Sequence, residues 1–78
     1  MQIIEYLRKV KSITSMEAMR DLGVGRLASR INDIRTNSIY QAYLREEGLA
    51  LESRFITVFK KDGSKARVKE YYLENIRQ

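Results

Sequence analysis

The chain lacks both cysteine and histidine in its 78 residues. Without cysteine it can form no disulfide, which fits a reducing compartment such as the cytoplasm. Without either residue, a structural zinc site and mechanisms that need a cysteine nucleophile or a histidine base are excluded. We therefore expect no metal, no cofactor and no enzymatic activity, because no other group offers a base near neutral pH.

Long apolar runs are also missing. The opening segment MQIIEYLRKVK places glutamate and basic residues within its apolar pattern, unlike a signal peptide, and no stretch is long enough to span a membrane. A chain of 78 residues offers enough apolar surface for one hydrophobic core. We expect a single intracellular domain over residues 1–78.

Charge is present but unevenly distributed. Fifteen basic and ten acidic residues give the chain a formal charge of +5. Six basic residues and one acidic residue lie between Arg54 and Lys69, so this stretch alone carries +5 and the remainder is neutral. A basic excess confined to one segment is typical of a surface that meets phosphate, although basic hairpins also serve to protect an edge strand.

The stretch from residue 14 to residue 35, TSMEAMRDLGVGRLASRINDIR, predicts two short helices joined by a glycine turn. Thr14 is followed three residues later by Glu17, a spacing that predicts a capping box at the start of the first helix. Gly23 follows the last periodic apolar residue and predicts the end of that helix. The buried face is expected at Met16, Met19 and Leu22, with Ala18 beside them.

In the second helix, Leu27, Ile31 and Ile34 recur at i, i+4 and i+7 and indicate the buried face, with Val24 as an anchor in the turn. The opposite face carries short polar and arginine side chains, namely Arg26, Ser29, Asn32, Asp33 and Thr36, with Gly25 among them and Arg30 on the flank. Such a face fits a DNA major groove, where arginine can bond guanine and asparagine can bond adenine. The alternative is a solvated surface on which Arg30 pairs with Asp33.

Before this pair, Ile3, Leu7 and Val10 predict an amphipathic helix over residues 2–10, with Ile4 adjacent to its apolar face. Ser12 and Ile13 leave room for a minimal strand between this helix and the next.

After the pair, Ser38 and Gln41 form a second capping-box pattern and Gly48 ends a helical segment over residues 38–48. The alternative is that the preceding helix continues through residues 36–38. The apolar stripe of this segment contains Ile39, Tyr40, Tyr43 and Leu44. It can cover the core, or Tyr40, Tyr43 and Leu44 can form a dimer surface.

From residue 49 to residue 73 the sequence changes to β-branched and aromatic residues around KKDGSK. The Asp-Gly pair predicts a turn, and the alternation in ARVKEYYL predicts a strand, so this segment is expected to be a β-hairpin with a basic tip. The packed side is expected from Phe55, Ile56, Val58 and Phe59. Residues 74–78 are expected to form a terminal tail.

This order of elements resembles the small winged helix-turn-helix proteins common in phages and prophages. The resemblance rests on IIEYLRKVKSITSMEAMRDLGVGRLASRINDIR and on VFKKDGSKARVKEYYL, which together cover most of the chain. It implies an α+β fold of three to four short helices followed by a two-stranded wing. The segment over residues 36–48 is longer than the usual link between recognition helix and wing.

The resemblance also implies site residues. Base-reading contacts in the major groove are expected from Arg26, Ser29, Arg30 and Asn32. Wing contacts with the DNA backbone are implied for Lys60, Lys61 and Lys65. We also expect backbone contacts from Thr14, Arg67 and Lys69.

We therefore expect sequence-specific binding of double-stranded DNA by a transcriptional regulator or recombination accessory factor of phage type. A homodimer on a symmetric site is a further expectation, because one module buries only roughly 600 to 1,000 Å² on DNA. The alternative is a protein-interaction module, such as a phage inhibitor of a host enzyme, because Asp33 lies within the reading face and winged helices also bind proteins. RNA binding is a weaker option, since no RNA-binding sheet signature surrounds the hairpin aromatics.

Overall fold

The computed structural model describes residues 2–76, and in that range it contains four helices and a three-stranded antiparallel sheet. In chain order the elements are α1 (Gln2–Val10), β1 (Ser12–Ile13), α2 (Ser15–Glu17) with a π-helical turn (Ala18–Leu22), α3 (Leu27–Thr36), α4 (Ser38–Glu46), β2 (Leu49–Phe59) and β3 (Lys65–Asn75). The strand order is β1-β3-β2. The α+β architecture and the minimal strand at Ser12 and Ile13 are confirmed. Within the same range, no helix combines the length and the apolar character needed to cross a bilayer.

The hydrophobic core lies between the helices and the base of the sheet. Its fully buried large side chains come from α1, β1 and α3, namely Ile3, Leu7, Ile13, Leu27, Ile31 and Ile34. The described chain buries no polar or charged residue. The predicted apolar faces of α1 and α3 are therefore confirmed, except at Val10, which is half-exposed at the end of α1 while Ile4 is buried in its place.

The first helix of the pair begins as predicted but buries a different face. The backbone N–H of Glu17 donates to the Thr14 hydroxyl, and the Glu17 carboxylate accepts from the Thr14 backbone N–H, which completes the capping box. Met16 and Met19 were expected in the core, yet they are 79% and 61% exposed.

The core side of this helix is formed by Ala18, which is fully buried, and by Leu22, which packs against the core. These two residues lie four positions apart, whereas the predicted stripe advanced by three residues at each step and so drifted away from one face. The helix also widens into the π-helical turn before Gly23 ends it in the left-handed conformation with φ +68°.

α4 is a separate helix, so the predicted alternative of one long helix through residues 36–38 is wrong. Its N-cap is Asn37 and not Ser38, because the Asn37 side chain accepts from the backbone N–H groups of Ile39 and Tyr40 at 2.9 and 3.2 Å. Gln41 completes no capping box. Its side-chain amide donates instead to the Ile34 carbonyl at 2.8 Å, which fastens α4 to α3.

The aromatic stripe of α4 is divided between core and surface. Leu44 is 2% exposed and belongs to the core, so its expected place in a dimer surface is wrong. Tyr40 packs against the core and Tyr43 keeps about a third of its surface exposed, with its hydroxyl accepting a hydrogen bond from Arg8. Ile39 is the most exposed of the four at 75%.

β2 and β3 pair along their whole length, from Leu49 opposite Asn75 to Phe59 opposite Lys65. Glu74 and Asn75 are therefore in β3, not in a tail, and residues 77 and 78 of the expected tail lie outside the described range. The connection is longer than a two-residue Asp-Gly turn. The N–H of Gly63 donates to the Lys60 carbonyl at 3.0 Å, and Gly63 then takes φ +87°, as in a hairpin loop that ends in a left-handed glycine.

The hairpin extends beyond the helices, and we call its protruding part, residues 52–70, the wing. Side chains on a strand alternate between two faces. At the base, the face that carries Leu51, Tyr71 and Leu73 packs on the helices. The same face continues into the wing with Phe55 and Phe59, which are 59% and 71% exposed. Their expected packing is therefore wrong, because the core covers neither ring.

Candidate nucleic-acid interface

The outward face of α3 is set by its buried face. Leu27, Ile31 and Ile34 lie in the core, and the helical period then directs the intervening side chains to solvent. All four predicted base-reading residues are exposed, namely Arg26, Ser29, Arg30 and Asn32. Except for Asn32, they line one shallow groove together with Gly25 and Asp33. The structure thus brings three of the four predicted residues to one concave surface at the start of α3.

One ion pair lies within this groove. The Arg30 guanidinium and the Asp33 carboxylate are 3.8 Å apart, and both side chains are more than half exposed. A pair so exposed contributes little to stability, because water screens it. Arg30 can therefore exchange the Asp33 carboxylate for another acceptor. While the ion pair is formed, Arg30 offsets the negative charge of Asp33.

The wing carries its cations on one face and at its tip. Lys65, Arg67 and Lys69 alternate along β3 and so share a face, while Lys60 and Lys61 lie at the turn. None of these five side chains forms an ion pair with a carboxylate of residues 2–76. Their charge is available to an external anion.

Aromatic rings lie beside the β3 cations. Phe55 is directly opposite Lys69, and Phe59 is opposite Lys65. The Arg67 guanidinium carbon is 4.9 Å from the centre of the Phe55 ring, and the Lys65 ammonium is 5.7 Å from that of Phe59. These distances are typical of cation–π contacts. We call this surface the cationic face, defined by Lys65, Arg67, Lys69, Phe55 and Phe59.

The opposite face of the wing has a different character. It presents the half-buried apolar residues Ile56, Val58, Ala66 and Val68. Its one arginine, Arg54, is neutralised by Glu70 at 2.8 Å and lies over the Tyr72 ring at 4.6 Å. The unpaired positive charge of the wing is therefore confined to the cationic face and the tip.

A family model described as a winged helix-turn-helix domain matches residues 1–76. The chain belongs to this family. No curated protein and no solved structure matches it significantly. In this winged helix-turn-helix domain, residues 15–36 form the helix-turn-helix, α3 is the recognition helix, and the protruding part of the β2–β3 hairpin is the wing. Membership of the family indicates DNA binding, and such domains are typically not enzymes.

The recognition helix and the base of β3 meet at Tyr71, next to the wing. The Arg35 guanidinium carbon, in the last turn of α3, lies 6.0 Å from the centre of the Tyr71 ring, and the Lys69 ammonium lies 5.7 Å from it. Basic side chains therefore run from the end of the recognition helix along β3 to the wing tip. Sequence reasoning missed Arg35 as a member of this basic row, because its place there depends on the long-range contact of α3 with Tyr71 of β3.

Thr14 lies close to the wing but is already engaged. Its hydroxyl donates to the Glu17 carboxylate at 3.1 Å and accepts from the Glu17 backbone, so a phosphate contact would compete with the cap. Thr14 and Met16 line a cavity of about 640 Å³ with Lys60, Lys61 and Lys69. The predicted backbone contacts at the start of α2 and on the wing are thus neighbours in space.

Sequence reasoning also assigned Phe55 and Phe59 wrongly, to the packed side of the hairpin. The register of β2 with β3 is the signal that could have placed them. Once the loop is centred on residues 61–63, each phenylalanine falls opposite a lysine and on the same side as Arg67.

Proposed function

We propose that this protein binds duplex DNA sequence-specifically, as a small transcriptional regulator or recombination accessory factor of phage type acting in the bacterial cytoplasm. The observation that carries the proposal is the row of basic side chains without carboxylate partners in the described chain, from Arg35 at the end of the recognition helix to Lys65 near the wing tip. Such a row complements the negative charge of phosphates along a DNA groove.

Base reading is proposed for Arg26, the N-cap of α3, and for the exposed α3 residues Ser29, Arg30 and Asn32. The opposite face of this helix, Leu27, Ile31 and Ile34, is buried, which fixes the direction in which the helix presents them. The ion pair of Arg30 and Asp33 supports this role, since it offsets a carboxylate that would otherwise repel phosphates.

Backbone contacts are proposed for the wing and for the start of α2, through Thr14, Lys60, Lys61, Lys65, Arg67 and Lys69. Lysines at phosphates supply affinity without sequence information. Binding should therefore weaken steeply with salt, by a log–log slope of about 0.9 for each phosphate contact.

The test is fluorescence anisotropy with a random duplex and with a duplex selected from a random pool, each at several salt concentrations. Arg26→Ala plus Arg30→Ala should reduce binding of the selected duplex to that of the random one, since a bidentate base contact gives about 1–3 kcal/mol of discrimination. Lys60→Ala plus Lys61→Ala should weaken binding to both duplexes equally and lower the salt slope by roughly 2.

A matched control removes two charges elsewhere. Lys9 on α1 and Arg45 on α4 are both exposed, so Lys9→Ala plus Arg45→Ala changes the net charge equally and should preserve selectivity. If the α3 and wing variants bind DNA no differently from this control, the duplex-binding proposal fails.

A protein-interaction module is the second candidate function. It is favoured by the exposure of two large apolar side chains, Met16 at 79% and Ile39 at 75%, which lie outside the reading face and the cationic face. A homodimer, which was expected for binding a symmetric DNA site, is proposed through α4 with the exposed Ile39 in place of the buried Leu44, beside Tyr40 and Tyr43. Sedimentation equilibrium of wild-type protein and Ile39→Glu would test it, because a charge at the contact should shift a dimer to monomer.

A further inference from the structure

We propose that the cationic face of the wing also binds single-stranded DNA, with Phe55 and Phe59 stacked on unpaired bases. This goes beyond the proposed duplex binding, in which neither phenylalanine has a role. The inference begins with the exposure of the two rings, 59% and 71% respectively. A phenylalanine normally packs in a core or an interface, so two exposed rings on one face of a small domain call for a partner.

The cationic face consists of two parallel rows. Phe55 and Phe59 lie on β2 with Thr57 between them, and the three cations lie opposite on β3. The rows are about 4.8 Å apart, and the two phenylalanines are about 13 Å apart along the strand. A single DNA strand lying along the hairpin can therefore place phosphates against the cations and bases over the rings.

Unpaired bases fit this surface better than a duplex does. In a duplex each base is stacked on its neighbours, so its flat face is unavailable to a protein ring unless the step is first unstacked. In a single strand the flat faces are free, and stacking on aromatic side chains beside a positive groove is the general mode of sequence-tolerant binding.

The charge distribution selects this face over the opposite one. Lys65, Arg67 and Lys69 have no carboxylate partner within residues 2–76, whereas Arg54 on the opposite face is paired with Glu70. The opposite face also presents only aliphatic side chains around Val58 and Val68, which do not stack on bases. Aromatic rings and free cations thus coincide on the cationic face.

The test uses the full chain and four fluorescein-labelled probes, measured by anisotropy at low salt. These are a twelve-nucleotide thymidine oligomer, an abasic oligomer and a uridine RNA oligomer of the same length, and a random duplex. Phe55→Ala and Phe59→Ala should each weaken binding of the thymidine oligomer about tenfold. Duplex affinity should stay the same in both variants, because the lysines remain.

Matched variants distinguish base stacking from nonspecific binding to an exposed apolar side chain. Phe59→Tyr keeps a ring and should bind the thymidine oligomer like wild type, whereas Phe59→Leu keeps apolar bulk and should not. Val10→Ala removes another exposed apolar side chain, 51% exposed at the end of α1, and should have no effect. The abasic oligomer should bind wild type as weakly as the thymidine oligomer binds the double alanine variant, Phe55→Ala plus Phe59→Ala.

Several results would overturn the proposal. These are no binding of the thymidine oligomer by wild type, equal binding of the abasic oligomer, or full binding by the double alanine variant. A parallel loss of duplex and single-strand affinity would overturn it too, as would tighter binding of a uridine RNA oligomer. Failure of duplex binding alone, with single-strand binding and its Phe dependence intact, would remove the proposed function and leave this inference standing.

Discussion

The helical body and the wing are stabilised in different ways. Every buried hydrophobic side chain of the described residues lies outside the wing, from Ile3 in α1 to Tyr71 at the base of β3. The wing has no buried residue, yet residues 54–69 carry a charge equal to that of the whole chain. The body therefore supplies stability and the wing supplies charged surface, so substitutions should separate the two.

The wing keeps its shape through local interactions. Asp62 accepts from the Ser64 N–H at 2.9 Å and from the Ser64 hydroxyl at 2.6 Å, which fixes the loop. Cross-strand pairs such as Phe59 with Lys65 contribute roughly 0.2–1 kcal/mol each. These contributions are small, so the wing depends on the body for the anchoring of its strands.

The largest expected effect comes from the core. Ile34 is 0% exposed, so Ile34→Ala should lower the free energy of unfolding by about 2–5 kcal/mol through lost burial and a new cavity. Phe59→Ala removes a larger side chain that is 71% exposed, and should lower the free energy of unfolding by no more than about 1 kcal/mol, the range of one cross-strand pair. Urea unfolding monitored by circular dichroism gives both values. Equal losses would mean that the wing is packed after all.

A smaller effect is expected at the glycine turns. Gly63 in the wing has φ +87°, and a Cβ there would meet no atom within 4 Å, so Gly63→Ala isolates the cost of the left-handed backbone. That cost is about 1–2 kcal/mol. Gly25, before α3, also has open space around it but lies outside the left-handed region, so Gly25→Ala should cost nothing measurable. Urea unfolding of the two variants side by side is the test, and a larger loss at Gly25 would contradict it.

The same difference explains which parts of the fold could be predicted from sequence. The buried face of α3 is regular because Leu27, Ile31 and Ile34 must all contact one core. The capping box needs only Thr14 and Glu17, which are three residues apart. Both signals are local, and both predictions were confirmed.

Predictions failed where position in the fold decided the outcome. Phe59 is a residue type that usually packs in a core, but it is 71% exposed, and no local pattern records how far along the hairpin the core extends. Met16 fails for a related reason, since its helix is too short for periodicity to distinguish one face. The N-cap of α4 is Asn37 and not Ser38. Both side chains can cap a helix, and only the position at which α3 ends selects between them.

Site residues followed the same rule. The exposed face of α3 was predicted from the period, and the exposure of Arg26, Ser29, Arg30 and Asn32 agrees with it, while their contacts with DNA remain a prediction. Arg35 and the two phenylalanines depend on the register of β2 with β3 and on the contact of α3 with Tyr71. Such long-range placements require the folded chain.

The smallest expected effect is an acid-dependent loss of stability in the body, carried by Asp21. Its carboxylate accepts from Arg20 at 2.8 Å and from the Tyr6 hydroxyl at 2.8 Å, and these bonds lower its pKa from 3.8 to about 2. Because the Asp21 carboxyl has a lower pKa in the folded state than in the unfolded state, it stabilises the fold at pH values above its ordinary pKa. This contribution is lost as pH falls from about 4 toward 2. Asp21→Asn should therefore be less stable than wild type at pH 5 and should converge with it near pH 2.

The wing offers the matched variant, because hydrogen bonds from Ser64 also lower the pKa of Asp62. Asp62 acts within one loop, whereas Asp21 joins α1 to the helix-turn-helix through Tyr6. Global unfolding in urea should therefore respond to pH less in Asp21→Asn than in wild type, while Asp62→Asn should alter mainly the amide resonances of the wing in nuclear magnetic resonance spectra. The hydrogen bond to Asp21 also raises the pKa of Tyr6. The stability that this bond contributes should therefore be lost as pH rises above about 10 and the Tyr6 hydroxyl ionises. If Asp62→Asn flattened the pH dependence of global stability more than Asp21→Asn did, the assignment of stability to the body would be reversed.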